Sequence, residues 1–200
     1  MDCSKVGHLI FQLRKEKGLT QQQVADLLNI SNKTISKWEC GLGCPDVTLW
    51  SELAAVLGAD IQKMLEGELD PNLPDVGKID KTQFYVCPAC GNILTSTGNA
   101  SISCCGRKLR PLKPMPYTAE HEITVQEMDI DYYISIRHDM MKDHYIAFVA
   151  YVLYDRVLLI RLYPEQSAEA RIPMMKTGSL YLYCTKHGLQ KYTDPFNRYL

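Results

Sequence analysis

The chain of 200 residues lacks any long uninterrupted apolar run. Its longest candidate, IAFVAYVLYDRVLLIRLY, is cut by Asp155, Arg156 and Arg161, which excludes a membrane span. The opening MDCSKVGHLIFQLRKEKG lacks the apolar core and small-residue cleavage site of a signal peptide, so a cytoplasmic location without a membrane partner is expected. There is no excess of charge of either sign: the net charge is −1, which excludes a bulk polycation. Any nucleic-acid contact must come from a local basic patch. Internal repeats and low-complexity tracts are absent too. What is present is a 46% hydrophobic fraction, enough for packed cores, and a length that favours two modest domains. The 8 cysteines, in a chain expected in a reducing compartment, point to metal ligation or redox chemistry before structural disulfides.

Three patterns follow one another. Residues 1–67 read as short amphipathic helices. Residues 68–83, ELDPNLPDVGKIDKTQ, are polar and carry two prolines, which predicts a linker. From Phe84 onward strand-forming runs dominate: EITVQEM, YYISIRH, YIAFVAYVLY, VLLIRLY and SLYLYC. The spacing predicts a small cysteine knuckle over 84–114 and an all-β sandwich over 115–200.

In the first region Val6, Leu9, Ile10 and Leu13 recur at helical spacing and Gly18 stops the helix. Thr20 caps a second helix, with Gln23 completing a capping box and Val24, Leu27 and Leu28 as the buried face. Asn29 suits a tight turn, and Ser31 caps a short third helix, NKTISKW, that buries Ile35 and Trp38. A fourth helix follows Pro45 and Asp46 with Leu49, Leu53, Val56 and Leu57 inward, and a fifth carries Ile61, Met64 and Leu65. Two short helices joined by a tight turn, the second polar outside, form a helix-turn-helix pattern.

LRKEKGLTQQQVADLLNISNKTISKWECG followed by PDVTLWSELAAVLGADIQKML resembles the lambda-repressor-like (Cro/C1, XRE) family. The resemblance implies a five-helix domain that binds a double-stranded DNA operator as a homodimer. Gln21 would then contact phosphate, and Asn32, Lys33 and Lys37 would face base edges with Ser31 and Thr34 beside them. Cys40 stands where the family often has Arg or Asn, which removes one phosphate contact. Cys3, Cys40 and Cys44 match no metal spacing and are expected to be passive.

FYVCPACGNILTSTGNASISCCGRKL carries Cys87-x-x-Cys90 and the adjacent pair Cys104 and Cys105. Four thiolates suit a tetrahedral zinc or iron ion. Gly91 and Gly106 after each pair leave room for backbone N–H groups to approach sulfur. The segment resembles the desulforedoxin-type iron centre, with a zinc ribbon as the alternative. Of the five histidines, His8 stands alone in the first helix, whereas His121, His138, His144 and His187 share the β region with Cys184. Imidazole and thiolate together suit iron, copper or zinc.

From about residue 84 to 193 the chain resembles desulfoferrodoxin, the two-iron form of superoxide reductase. Its H-x5-H-Y-I and Y-C-x-x-H-G-L motifs stand here as His138 to Ile146 and Tyr183 to Leu189. The resemblance implies an Ig-like β-sandwich with iron held by His121, His138, His144, His187 and axial Cys184, a sixth position open to superoxide or another small oxidant, and a second iron at the four cysteines. The family's Glu-Lys before the first histidine is Ala119-Glu120 here. A carboxylate therefore replaces the lysine that attracts the anion, and Glu120 is left as the candidate catalytic carboxylate.

Three readings follow. The chain is a DNA-binding regulator that senses superoxide, oxygen or iron; or an active superoxide reductase with a DNA-binding head; or a DNA-binding protein whose β domain is a zinc-stabilised dimerisation scaffold.

Overall fold

The computed structural model describes residues 1–73, 77–116, 121–175 and 177–193. The chain forms two units, Met1–Pro71 and Asn72–Leu200. The first holds five α-helices and the second is β-rich.

Helix α1, Cys3–Glu16, starts where the Asp2 carboxylate accepts from the N–H groups of Ser4 and Lys5. It buries Val6, Leu9, Ile10 and Leu13 along one stripe. Gly7 lies on the same side because α1 meets the third helix there: a Cβ would fall 2.0 Å from the Trp38 carbonyl oxygen. Gly18, with φ +67°, takes the left-handed turn that ends the helix. Helix α2, Gln21–Leu27, has the full capping box of Thr20 and Gln23. Helix α3, Asn32–Glu39, is capped by Ser31 and buries Ile35 and Trp38.

The fourth helix is preceded by a single 3-10 turn, Val47–Leu49, capped by Asp46; α4 itself is Trp50–Leu57. Helix α5 is Ile61–Glu66. Three expectations are corrected. Leu27 is exposed, because 100° per residue puts the centre of the buried face at Val24, Ala25 and Leu28 and turns Leu27 outward. Ile61 and Leu65 are exposed as well, and only Met64 of α5 enters the core. The third concerns cysteine: Cys3 and Cys44 form a disulfide, bringing together residues 41 positions apart whose spacing showed no relation.

A buried ion pair joins the helices. Arg14 donates from Nε and Nη2 to the two oxygens of Glu39 at 2.5 and 2.8 Å, and from Nη1 to the Leu19 carbonyl at 2.8 Å. Both side chains are 5% exposed or less, so each charge depends on the other.

The second unit begins with a 3-10 turn, Ile79–Lys81, inside the segment expected to be a plain linker. Two small hairpins follow: β1 Gln83–Val86 with β2 Ile93–Ser96, and β3 Ile102–Cys104 with β4 Arg107–Leu109. The sandwich proper has a five-stranded sheet in the order β5-β12-β11-β8-β9 and a three-stranded sheet β10-β7-β6. Its strands are β5 Met115–Pro116, β6 Ile123–Met128, β7 Asp131–Ile136, β8 Ile146–Val152, β9 Val157–Arg161, β10 Glu169–Pro173, β11 Ser179–Cys184 and β12 Gly188–Thr193. All neighbours are antiparallel except β5 and β12.

Every residue of β8 is buried. Val149 and Tyr151 face the core between the sheets, while Phe148, Ala150 and Val152 pack with Phe84 on the opposite face. This two-sided burial explains the continuous apolar run IAFVAYV. Among the described residues no helix is long and apolar enough to cross a membrane.

Candidate metal centres and helix-turn-helix interface

The first cluster is built by the two small hairpins. Cys87 and Cys90 lie in the loop from β1 to β2, held by the Cys87 N–H to the Asn92 carbonyl at 2.9 Å and the Gly91 N–H to the Cys87 carbonyl at 2.8 Å. Cys104 ends β3, and Cys105 with Gly106 forms the two-residue turn into β4. Both turn residues have positive φ, +51° and +71°, as a type I′ hairpin demands. That backbone lets two adjacent side chains, which ordinarily diverge, reach one point. The sulfur of Cys104 is 3.6 Å from that of Cys90 and 4.0 Å from that of Cys105. All four sulfurs lie within 4.8 Å of one another. Tetrahedral sulfurs about 2.3 Å from one ion are about 3.8 Å apart, so the set fits a metal.

The electrostatics agree. Backbone N–H groups of Cys90 and Ala89 pull the Cys87 thiol down to about 6. Contacts with Cys90, Cys87 and Cys104 push Cys105 up to about 12. The first thiolate forms easily and the later ones are opposed by it, which a cation at the centre would relieve. Arg161 of β9 reaches the loop, donating from Nη1 to the Gly91 carbonyl at 2.7 Å.

The second cluster sits at one end of the sandwich. His121 precedes β6, His138 and His144 bracket the loop from β7 to β8, and Cys184 and His187 bound the β11–β12 turn. His121 is anchored by β12: the Tyr192 hydroxyl donates to its carbonyl at 2.9 Å, and the Gln190 carboxamide lies 3.1 Å from its Nδ1. The Met140 N–H donates to His138 Nδ1 at 3.0 Å. Thr185, just past β11, ties down the end of the 138–144 loop: the Tyr145 N–H donates to its hydroxyl, its N–H donates to the Tyr145 carbonyl, and its hydroxyl donates to the Asp143 carbonyl at 3.5 Å. A register shift at Tyr183/Cys184, where β11 pairs with β8, places buried Cys184 under the rings.

The four imidazoles form a closed cycle, with neighbouring ring centroids 5.3 Å (His121–His138), 4.4 Å (His138–His144), 4.8 Å (His144–His187) and 4.9 Å (His187–His121) apart. His138 Nε2 is 3.1 Å from His144 Nε2, and His187 Nδ1 is 3.2 Å from His121 Nε2. Two nitrogens about 2.1 Å from one ion at a right angle are about 3.0 Å apart, so the ring fits a square of ligands. The Cys184 sulfur lies 3.6 Å from His138 Nε2 and 3.5 Å from His187 Nδ1, the place of a fifth donor. Burial, then repulsion from His144 and His121, holds His138 down to about 4, so the ring is neutral near pH 7. A cleft of about 240 Å³ opens over the rings, lined also by Arg137 and Asp139. Neither was singled out by sequence; their place beside His138 is the signal. Ala119 and Glu120 lie outside the described residues.

In the first unit Asn32, Lys33 and Lys37 are exposed on α3. Ser31 and Thr34 are engaged with each other, hydroxyl to hydroxyl at 2.8 Å, and the Thr34 N–H donates to Ser31. Gln21 is half-buried and its Nε2 donates to Glu39 at 2.7 Å, joining the Arg14 pair. One cleft brings Lys15 and Gln22 beside Gln21 and Asn32; the pattern of buried positions gave no reason to select the first two.

The HTH_3 (helix-turn-helix) family model matches residues 10–64. Over 57 residues the chain is 40% identical to the HTH-type transcriptional activator BcrR of Enterococcus faecalis, 28% of each chain. Over 119 residues it is 24% identical to desulfoferrodoxin of Desulfarculus baarsii, covering 54% of this chain and 94% of that one. The crystal structure of the superoxide reductase from Treponema pallidum is similar with a TM-score of 0.49 at 18% identity, over 57% of this chain and 99% of that one. Of some curated relatives it matches, BcrR included, the chain spans less than half the length. The chain thus joins an N-terminal region that matches the HTH_3 helix-turn-helix model to a C-terminal region similar in sequence to desulfoferrodoxin.

Proposed function

We propose that this chain is a DNA-binding transcriptional regulator whose C-terminal unit carries iron and senses superoxide, oxygen or iron itself. The observation that carries the reading is the convergence of four imidazole nitrogens and one thiol in the same chain as a helix-turn-helix whose α3 exposes Asn32, Lys33 and Lys37. His121, His138, His144, His187 and Cys184 would hold one iron; Cys87, Cys90, Cys104 and Cys105 would hold a second iron, or zinc. Iron so bound supplies one-electron exchange, and a thiolate ligand raises its electron density.

His138, neutral near pH 7, adds no positive charge to the open cleft, and Arg137 gives its mouth a cation. On the DNA side Asn32, Lys33 and Lys37 would read base edges, and Gln21 would act at the backbone while holding Glu39. Two copies would read paired half-sites of an operator. Coupling requires the metal state to change operator affinity, by about 5–150-fold for ordinary allosteric energies. The test is operator affinity, on a site selected from random duplexes, for metal-free, reduced and oxidised protein. Equal affinity in all three states refutes sensing, and failure to select any duplex refutes DNA binding. The open cleft favours a second reading, a working superoxide reductase. Stopped-flow mixing of reduced protein with superoxide separates the two, because a near-diffusion-limited reaction belongs only to the enzyme.

A further inference from the structure

We propose that Gln190 is a positioning residue for the histidine centre: its carboxamide fixes which nitrogen of His121 carries the proton and so keeps Nε2 available to a metal. The inference rests on the ligand set proposed above. Gln190 lies in β12, an interior strand between β5 and β11, and is 1% exposed. Strand alternation puts it on the same face as Tyr192, toward the core between the sheets, and puts Leu189 on the other. A carboxamide at that depth is costly unless it is hydrogen-bonded. One partner is the ring nitrogen that points away from the cluster: the carboxamide Nε2 lies 3.1 Å from His121 Nδ1, and exchanging the carboxamide's nitrogen and oxygen puts Oε1 in that place. Tyr192, two residues on, holds the same histidine by its carbonyl, so one strand fixes both the backbone and the ring of this residue.

The chemistry sets a requirement. His121 Nε2 faces His187 Nδ1 inside the ring of imidazoles, so it is the donor atom of this residue. An ion at Nε2 needs that nitrogen deprotonated, which in a neutral imidazole leaves the proton on Nδ1. Nδ1–H then needs an acceptor, and a half-turn of the carboxamide presents its oxygen. Glutamate at this position is an acceptor only and meets the requirement; leucine fills the space and does not.

The experiment is anaerobic titration of metal-free full-length protein with ferrous ion, for wild type, Gln190→Leu and Gln190→Glu, reading the affinity of each of the two ions per chain. Thermal melting of the metal-free forms accompanies it. Gln190→Leu is expected to weaken the histidine-centre ion about 10–100-fold and leave the cysteine-centre ion unchanged. Gln190→Glu should stay within a few-fold of wild type although its metal-free form melts no higher than the leucine variant. Equal affinity of Gln190→Leu and wild type overturns the proposal. Equal loss in both variants also overturns it, since that marks a packing role. Wild-type protein that takes up no second ion refutes the histidine centre itself.

Discussion

The two candidate centres gather their ligands by opposite routes. The cysteine cluster draws all its ligands from positions 87 to 105, in two hairpins that each close on themselves. The histidine cluster spans positions 121 to 187 and needs the sandwich to be assembled before its ligands meet. They also differ in charge. Four thiols must lose protons one against another, so Cys105 is pushed up to about 12, whereas in the histidine cluster His138 is held down to about 4 and is neutral near pH 7. The first centre therefore depends on a cation for charge balance, and the second gains from one mainly by satisfying converging lone pairs.

The sharpest way to break this comparison is to delete one ligand from each side. Cys184→Ala should cost one metal ion per chain and leave the cysteine centre filled, and Cys105→Ala should do the reverse. Elemental analysis per chain reads both. If either variant empties both centres, they are not independent.

Acid should act next, and selectively. His138 is held below its ordinary value in the folded protein, so the unfolded chain binds more protons as pH falls. Its contribution is present above about 6.5 and is lost on acidification toward about 4. Metal-free protein should lose stability through that window in denaturant melts at stepped pH, and His138→Leu should flatten the slope.

A smaller effect is expected from Arg161→Leu, which removes the guanidinium bond to the Gly91 carbonyl. A charged hydrogen bond contributes about 1.5–3 kcal/mol, so metal should pass faster from the cysteine centre to a chelator while the histidine centre is unaffected. The smallest concerns Arg137, exposed at the mouth of the histidine cleft and 3.8 Å from Glu122. Arg137→Gln should slow association of small anions such as azide a few-fold, and the difference should shrink as salt rises.

Much of this was legible along the chain. The caps at Thr20 and Ser31 and the stop at Gly18 are local hydrogen-bonding and φ requirements, and they appear where the residues put them. The strands containing ITVQEM, YISI, IAFVAYV, VLLIR and SLYLYC follow their β-branched and aromatic runs. Strand β10, EARIP, has no such run: only Ala170 and Ile172 are buried, and the alternating exposed positions hide a half-buried strand. Leu27, Ile61 and Leu65 are exposed although their hydrophobic type predicts burial, because on short helices a shift of one position turns a side chain into solvent.

What the sequence by itself determined is therefore local: helix ends, strand runs, the presence of thiols and imidazoles at recurring spacings. Tertiary structure decided the rest. It set the meeting of the two cysteine pairs, the ring order of four histidines, and the buried Arg14–Glu39 pair that also holds Gln21. It also decided the Cys3–Cys44 disulfide and the grip of Gln190 on His121. The reason is physical. Caps and turns involve residues a few positions apart, whose contacts the backbone fixes directly. Residues 41 or 66 positions apart meet only where packing brings their elements together, and no spacing along the chain records that meeting.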